Sequence, residues 1–179
     1  MDFYLDGMRE EYSRELTDSV KQDTNVYTVG WRPDSHMWQY DFFKERNCNI
    51  TLIEIFEPNA NAFPKEEYNA TVVCDSVENF AQYVNKEEKD KNILYWSDGP
   101  EHLEMDASKK LLEEAKEYFS LIIIQTPNGV YEQGEMYGNI HESHLSSWYE
   151  SDYEELGFKL DKTHGPAHNF DALIGFWIG

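Results

Sequence analysis

Residues 158–178 read "FKLDKTHGPAHNFDALIGFWI": two short strand-like runs, 158–162 and 171–178, separated by only the eight residues "THGPAHNF". A parallel crossover needs a dozen or more residues and usually a helix, so these two runs pair antiparallel. Upstream the rhythm differs. Five compact runs, 25–30 "NVYTVG", 50–56 "ITLIEIF", 70–74 "ATVVC", 92–96 "NILYW" and 120–125 "SLIIIQ", are too short for helices and rich in β-branched or aromatic residues. That is the pattern of strands buried on both faces. Helix-like segments lie between them. Residues 35–46 carry Met37, Trp38, Phe42 and Phe43; 76–90 follow Asp75 as N-cap with Glu78 three residues on; 106–118 lead through Leu111, Leu112 and Ala115 to Phe119. Strands alternating with helices imply an α/β three-layer sandwich, its seven-stranded sheet mostly parallel with one antiparallel C-terminal strand. Residues 57–69, with two prolines, hold only a short helix, and the charged run 85–92 reads as the solvated end of one. Residues 145–155 predict an amphipathic helix with Ser147 and Glu150 in capping-box spacing, closed by Gly157. The expected organisation is a single unit over 1–179, with a helix and turn in 1–24 and the α/β core in 25–179.

The composition suits one domain with a sizeable core: 40% of the 179 residues are hydrophobic and 15% aromatic. Asp and Glu total 35 against 15 Lys and Arg, a net charge of −20, so the average surface repels nucleic-acid backbones and anionic membranes. The four arginines (Arg9, Arg14, Arg32, Arg46) all fall in the first quarter, too few for a phosphate-tracking stripe. The same charge favours a neutral or cationic ligand. Cys48 and Cys74 occupy unrelated settings and suggest neither a disulfide framework nor a zinc pair. The N-terminus lacks a basic region followed by an apolar core, and no apolar run approaches the roughly 18 residues of a membrane span. These features read as a cytoplasmic, reducing location.

In an open α/β sheet, ligands collect at the carboxyl ends of the strands, near the point where strand order reverses. The stretch 26–36, "VYTVGWRPDSH", leaves the first strand there, with Gly30, Trp31 and Arg32 in the turn. A pyrophosphate-binding G-x-G-x-x-G needs a second glycine for close backbone approach, and this chain has Arg32 and Pro33 in that region. A G-x-x-x-x-G-K-[ST] phosphate loop is missing as well. Glu54, 24 residues after Gly30, ends the second strand where an acid accepts both hydroxyls of an adenosine ribose. Asp75, followed by Ser76, ends the third strand within reach of an adenine amino group. Both acids also have plainer readings, a strand-end carboxylate and a helix cap. Taken together, the positions favour an adenosine ligand without a diphosphate.

On these residues the chain resembles the class I S-adenosylmethionine-dependent methyltransferase family over about residues 25–178. The more specific pieces are "NILYWSDGPEHLE" at 92–104, similar to the family's fourth strand and Glu-His turn; "LIIIQTPNG" at 121–129, similar to its fifth strand; and "HESHLSSWYESDYEELGFKL" at 141–160. The first loop departs from the family's acid-x-Gly-x-Gly-x-Gly: Thr28 replaces the acid, Gly30 is kept, and Arg32 and Pro33 stand near the second glycine. The resemblance implies S-adenosylmethionine as cofactor, held by Gly30, Trp31, Arg32, Glu54, Asp75, Ser76, Asp98 and Gly99. Arg32 either forks onto the methionine carboxylate or faces solvent.

Methyl transfer needs little covalent work from the protein, which must hold nucleophile and methyl in line and exclude water. For a hydroxyl acceptor, His102, His141 and His144 are the candidate bases, His102 first because it follows the fourth strand. "HESH" at 141–144 also invites a metal, but its ligands need a fourth from His164 or His168, and the reading adopted has no metal. Asn128, Tyr131 and Trp148 are expected to line the acceptor pocket. The acceptor expected is a small molecule, sugar or protein side chain rather than nucleic acid. The rival is a non-catalytic methyltransferase-like partner subunit, and the oligomeric state stays open. A nicotinamide-dependent oxidoreductase fits the element order but neither the loop nor the reversed hairpin.

Overall fold

The computed structural model describes Phe3 and residues 8–35, 37–163 and 171–179. Seven strands form one sheet: β1 (Asn25–Val29), β2 (Asn49–Ile53), β3 (Thr71–Val73), β4 (Asn92–Ser97), β5 (Leu121–Pro127), β6 (Lys159–Thr163) and β7 (Ala172–Ile178). Their order is β3-β2-β1-β4-β5-β7-β6. The pairs among β1 to β5 are parallel, whereas β7 runs antiparallel to both β5 and β6, from Leu121↔Ile178 to Pro127↔Ala172 and from Lys159↔Phe176 to Thr163↔Ala172. The expected seven strands and the single reversed one are both present.

Both faces are covered, which is why the strands read as unbroken apolar runs. Along β5 the side chains alternate: Leu121 and Ile123 join the core with Leu16, Phe42 and Phe43, while Ile122 and Ile124 join Leu112, Phe119, Trp148 and Tyr153. Helices α1 (Glu10–Ser19) and α2 (Trp38–Glu45) cover the first face, with the short α3 (Glu57–Ala62) and α4 (Lys65–Tyr68) at its edge. Helices α5 (Met105–Ala115) and α6 (Glu150–Glu155) cover the second. Arg9, just ahead of α1, clamps that helix to the last hairpin: its Nε lies 2.9 Å from Asp161 Oδ1 and its backbone N–H 2.7 Å from Oδ2. No helix among the described residues is long and apolar enough to cross a membrane.

Two expectations are corrected. The segment 76–90 is not one helix but two 3₁₀ stretches, Val77–Gln82 and Lys86–Lys91. Each has its own cap, Ser76 Oγ accepting from Glu78 N–H and Asn85 Oδ1 from Glu87 N–H, so the second cap interrupts the segment and the run 85–92 is a separate turn. Asp75 is therefore not the cap. The C-terminal helix begins at Glu150 rather than 145, because Gly129 N–H donates to Trp148 O at 2.7 Å and holds that stretch extended. Its reciprocal cap is Tyr149 N–H to Asp152 Oδ2 at 2.9 Å, not Ser147 with Glu150. Gly157, at φ +68°, closes it as expected.

Gly175 lies under the ring of Tyr153, where an added Cβ would stand 2.2 Å from Cδ1. Tyr153 is fully buried and its hydroxyl sits 2.9 Å from Thr126 Oγ1, so it cannot swing away freely. Gly175→Ala is expected to lower stability by about 1–3 kcal/mol, read from urea unfolding; an unchanged midpoint would show that the β7 face tolerates the methyl group.

Candidate functional site

The carboxyl ends of β1, β2, β4 and β5 open into a cavity of about 910 Å³. Gly30 ends β1 at φ +75°, a left-handed conformation suited to glycine, and its N–H returns to Ile53 O at 3.0 Å. Trp31 then turns into the protein, 8% exposed, with its ring edge-on to Phe63. Glu54, buried beside this turn, accepts the Trp31 N–H at Oε2 (2.8 Å) and the Phe56 N–H at Oε1 (2.7 Å). Each oxygen keeps a lone pair. Burial pushes this carboxyl above its usual range, the two N–H bonds opposing the rise.

Six carboxylates line the cavity, Asp34, Glu54, Asp75, Asp98, Glu101 and Glu142, and among the described lining residues Arg32 is the one fixed cation. It is engaged: Nη1 lies 3.2 Å from Glu142 and Nε 3.3 Å from Asp34. Asp75 accepts from the Tyr83 hydroxyl, from Asn79 Nδ2 at 2.9 Å and from Ser76 N–H at 2.7 Å, and these bonds, Tyr83 foremost, hold its carboxyl below the usual range. Beyond β4, Asp98 takes a left-handed φ of +47° and donates its N–H to Gln125 O. Gly99 has no alternative, since a Cβ there would fall 1.7 Å from the Trp96 indole nitrogen.

The 3₁₀ turn Pro100–His102 brings Glu101 and His102 to the far wall. Glu101 is 2% exposed; burial, with Asp98 nearby, raises its carboxyl well above the usual range. His102 Nδ1 lies 3.2 Å from Ser143 O, and burial pushes the ring below its usual pKa. His144 Nδ1 lies 2.7 Å from Tyr131 O, and the two imidazoles meet edge to face with centroids 4.9 Å apart.

No family model matches this sequence, and no curated protein matches it. Solved structures do match in shape. The N-terminal domain of EvdMO1, crystallised in the presence of S-adenosylhomocysteine and D-fucose, has a TM-score of 0.63 at 13% identity, covering 99% of this chain and 90% of that one. Burkholderia thailandensis 1,6-didemethyltoxoflavin-N1-methyltransferase, with S-adenosylhomocysteine bound, gives 0.62 at 14%, covering 93% and 76%. A Rhodobacter sphaeroides protein named as a zinc-dependent alcohol dehydrogenase gives 0.63 at 8%, covering 99% and 93%. What separates the alternatives is β7, reversed and inserted between β5 and β6, because the dinucleotide-binding sheet is a run of parallel strands ordered 3-2-1-4-5-6.

The chain has the class I methyltransferase fold.

Within that fold, the expected cofactor residues Gly30, Trp31, Arg32, Glu54, Asp75, Ser76, Asp98 and Gly99 all border the cavity. His102, His144 and Tyr131 border it too, and the exposed His141 stands at its rim. Two expected residues do not. Trp148 is fully buried against Tyr153, its indole N–H donating to Ser146 Oγ, so it is core rather than an acceptor platform. Asn128 lies outside the lining, its backbone N–H on Asp171 O at 2.8 Å. His164 and His168 lie outside the described residues. Glu142, expected with His141 and His144 to line the acceptor pocket, does border the cavity, whereas Glu101 was missed as a site residue, marked only by the Glu-His pairing.

Because Asp75 is held below the ordinary carboxylate range, it contributes stability above its unfolded pKa and loses it as pH falls through the folded one. Tyr83→Phe is expected to raise the Asp75 pKa toward the ordinary value, followed by carbon-detected NMR titration of its carboxyl. An unmoved pKa would assign the shift to Ser76 and Asn79 alone.

Proposed function

We propose that this protein binds S-adenosylmethionine in the cavity and transfers the methyl group to a neutral or cationic small molecule, sugar or protein side chain. Glu54 carries the reading. It is a buried carboxylate at the end of β2, beside the turn after β1, anchored by two backbone N–H groups and with a lone pair left on each oxygen for a ribose hydroxyl. The acidic lining supports it, since six carboxylates favour a cationic sulfonium. So does the fold shared with a methyltransferase that has S-adenosylhomocysteine bound.

When bound, the cofactor supplies an electrophilic methyl group. The residues here would do the rest: Glu54 holds the ribose, Asp75 and Ser76 border the adenine end, and the turn at Asp98 and Gly99 lets the backbone pass close by. His102 and His144 line the acceptor end. Their Nδ1 atoms are held 3.2 Å from Ser143 O and 2.7 Å from Tyr131 O, which fixes both rings at that wall.

A second reading, a non-catalytic binding or partner subunit, is favoured by one observation. Arg32 already pairs with Glu142 and Asp34, leaving no free cation among the described lining residues for a methionine carboxylate. Calorimetric titration with S-adenosylhomocysteine separates the two. The expected outcome is micromolar binding, weakened at least tenfold, about 1.4 kcal/mol, in Glu54→Ala. Absence of binding to the intact protein at about 1 mM would overturn the methyltransferase reading and favour the second.

A further inference from the structure

We propose that Glu101, His102 and His144 form a divalent transition-metal site at the acceptor end of the cavity, with coordination positions left open for an oxygen of the substrate. One donor atom from each of the three lies within 4.8 Å of the other two. The decisive detail is Glu101 Oε2, which is buried and has no hydrogen-bond partner. A buried carboxyl oxygen without a partner is costly for a fold to carry. A proton there would remove the charge but leave its O–H facing no acceptor, so the oxygen would still lack a partner.

The histidines are oriented to match. A carbonyl only accepts, so the Nδ1 of His102 facing Ser143 O and the Nδ1 of His144 facing Tyr131 O both carry hydrogen. In the neutral ring of this tautomer the lone pair is on Nε2, the form that a metal ion binds. His144 Nε2 lies 4.0 Å from Glu101 Oε1, too far for a hydrogen bond and about half an ångström wider than two donors sit on one tetrahedral ion with bonds of about 2.0–2.2 Å. With all three donors inside 4.8 Å of one another, no pair has to close by more than about 1.4 Å to reach tetrahedral spacing. Ring Nδ1–H bonds to backbone carbonyls are the usual outer-shell support of metal-bound histidine. The two segments are also clamped together, Glu101 O accepting from Leu145 N–H at 2.8 Å and Ser146 N–H at 3.1 Å.

Two imidazoles and one carboxylate suit zinc, cobalt, manganese or ferrous iron; magnesium and calcium prefer oxygen alone. Three protein ligands leave positions for solvent or substrate, so the acceptor class that fits is an oxygen donor such as a hydroxyl. That last point rests on the methyltransferase reading; the metal site itself does not.

The test uses the full chain stripped of metal with a chelator and without any S-adenosyl compound. Co²⁺ is added and the visible spectrum followed, then Zn²⁺ by calorimetry. About one equivalent per chain, with histidine-type cobalt absorption and affinity reduced at least tenfold in both Glu101→Gln and His144→Gln, is the expected result. No saturable binding by the intact protein overturns the proposal. Binding that survives both substitutions also overturns it, by assigning the ion to the acidic surface. Circular dichroism checks that the variants fold, and should Glu101→Gln fail to, the half-buried His144→Gln decides. Titration with S-adenosylhomocysteine in chelator reads the cofactor site separately, so either proposal can fail alone.

Discussion

The antiparallel seat of β7 between β5 and β6 is the constraint on which the rest of the molecule depends. It separates β5 from β6 by a full strand, so the chain between Pro127 and Lys159 has to travel around the edge of the cavity before re-entering the sheet. That excursion delivers Tyr131, Glu142 and His144 to the mouth of the parallel strands. The same insertion buries Gly175 beneath Tyr153 and leaves Asp161 on β6 to receive Arg9, tying both ends of the chain to one hairpin.

A chain with 35 acidic residues has to manage the acids it buries. At the cavity each is handled differently. Glu54 is met by two backbone N–H groups, Glu142 by Arg32, and Asp75 by a tyrosine hydroxyl, an asparagine amide and an N–H group. Glu101 has one oxygen with no such partner. The wall is therefore a graded series of negative sites. Its field attracts cations, and its most buried member, Glu101, keeps one oxygen without a hydrogen-bond partner.

The strands were legible because burial on both faces leaves no choice but apolar, β-branched or aromatic side chains in short runs, as in "SLIIIQ" and "NILYW". The turn that borders the cavity was legible for a related reason: Gly30 and Glu54 sit at strand ends, and strand ends share one edge of a parallel sheet. The 76–90 segment misled because Asp75 and Ser76 are both good cap residues and only the fold shows that Tyr83 and Asn79 occupy Asp75. Trp148 misled because an aromatic in a polar stretch reads as exposed until its bridge to Gly129 draws it into the core.

The sequence by itself determined the class of fold, the sense of the last strand and the edge at which the cavity opens, since periodicity and loop length are local properties. Which side chains face one another was decided only by tertiary structure. Arg32 meets Glu142, His102 meets His144, and Glu101 is sealed beside them, because these contacts join segments far apart in sequence, 110 residues for Arg32 and Glu142, whose approach depends on how the crossover packs. Local chemistry names the strand and the turn; long-range packing decides whether a carboxylate there is paired or left facing an empty position.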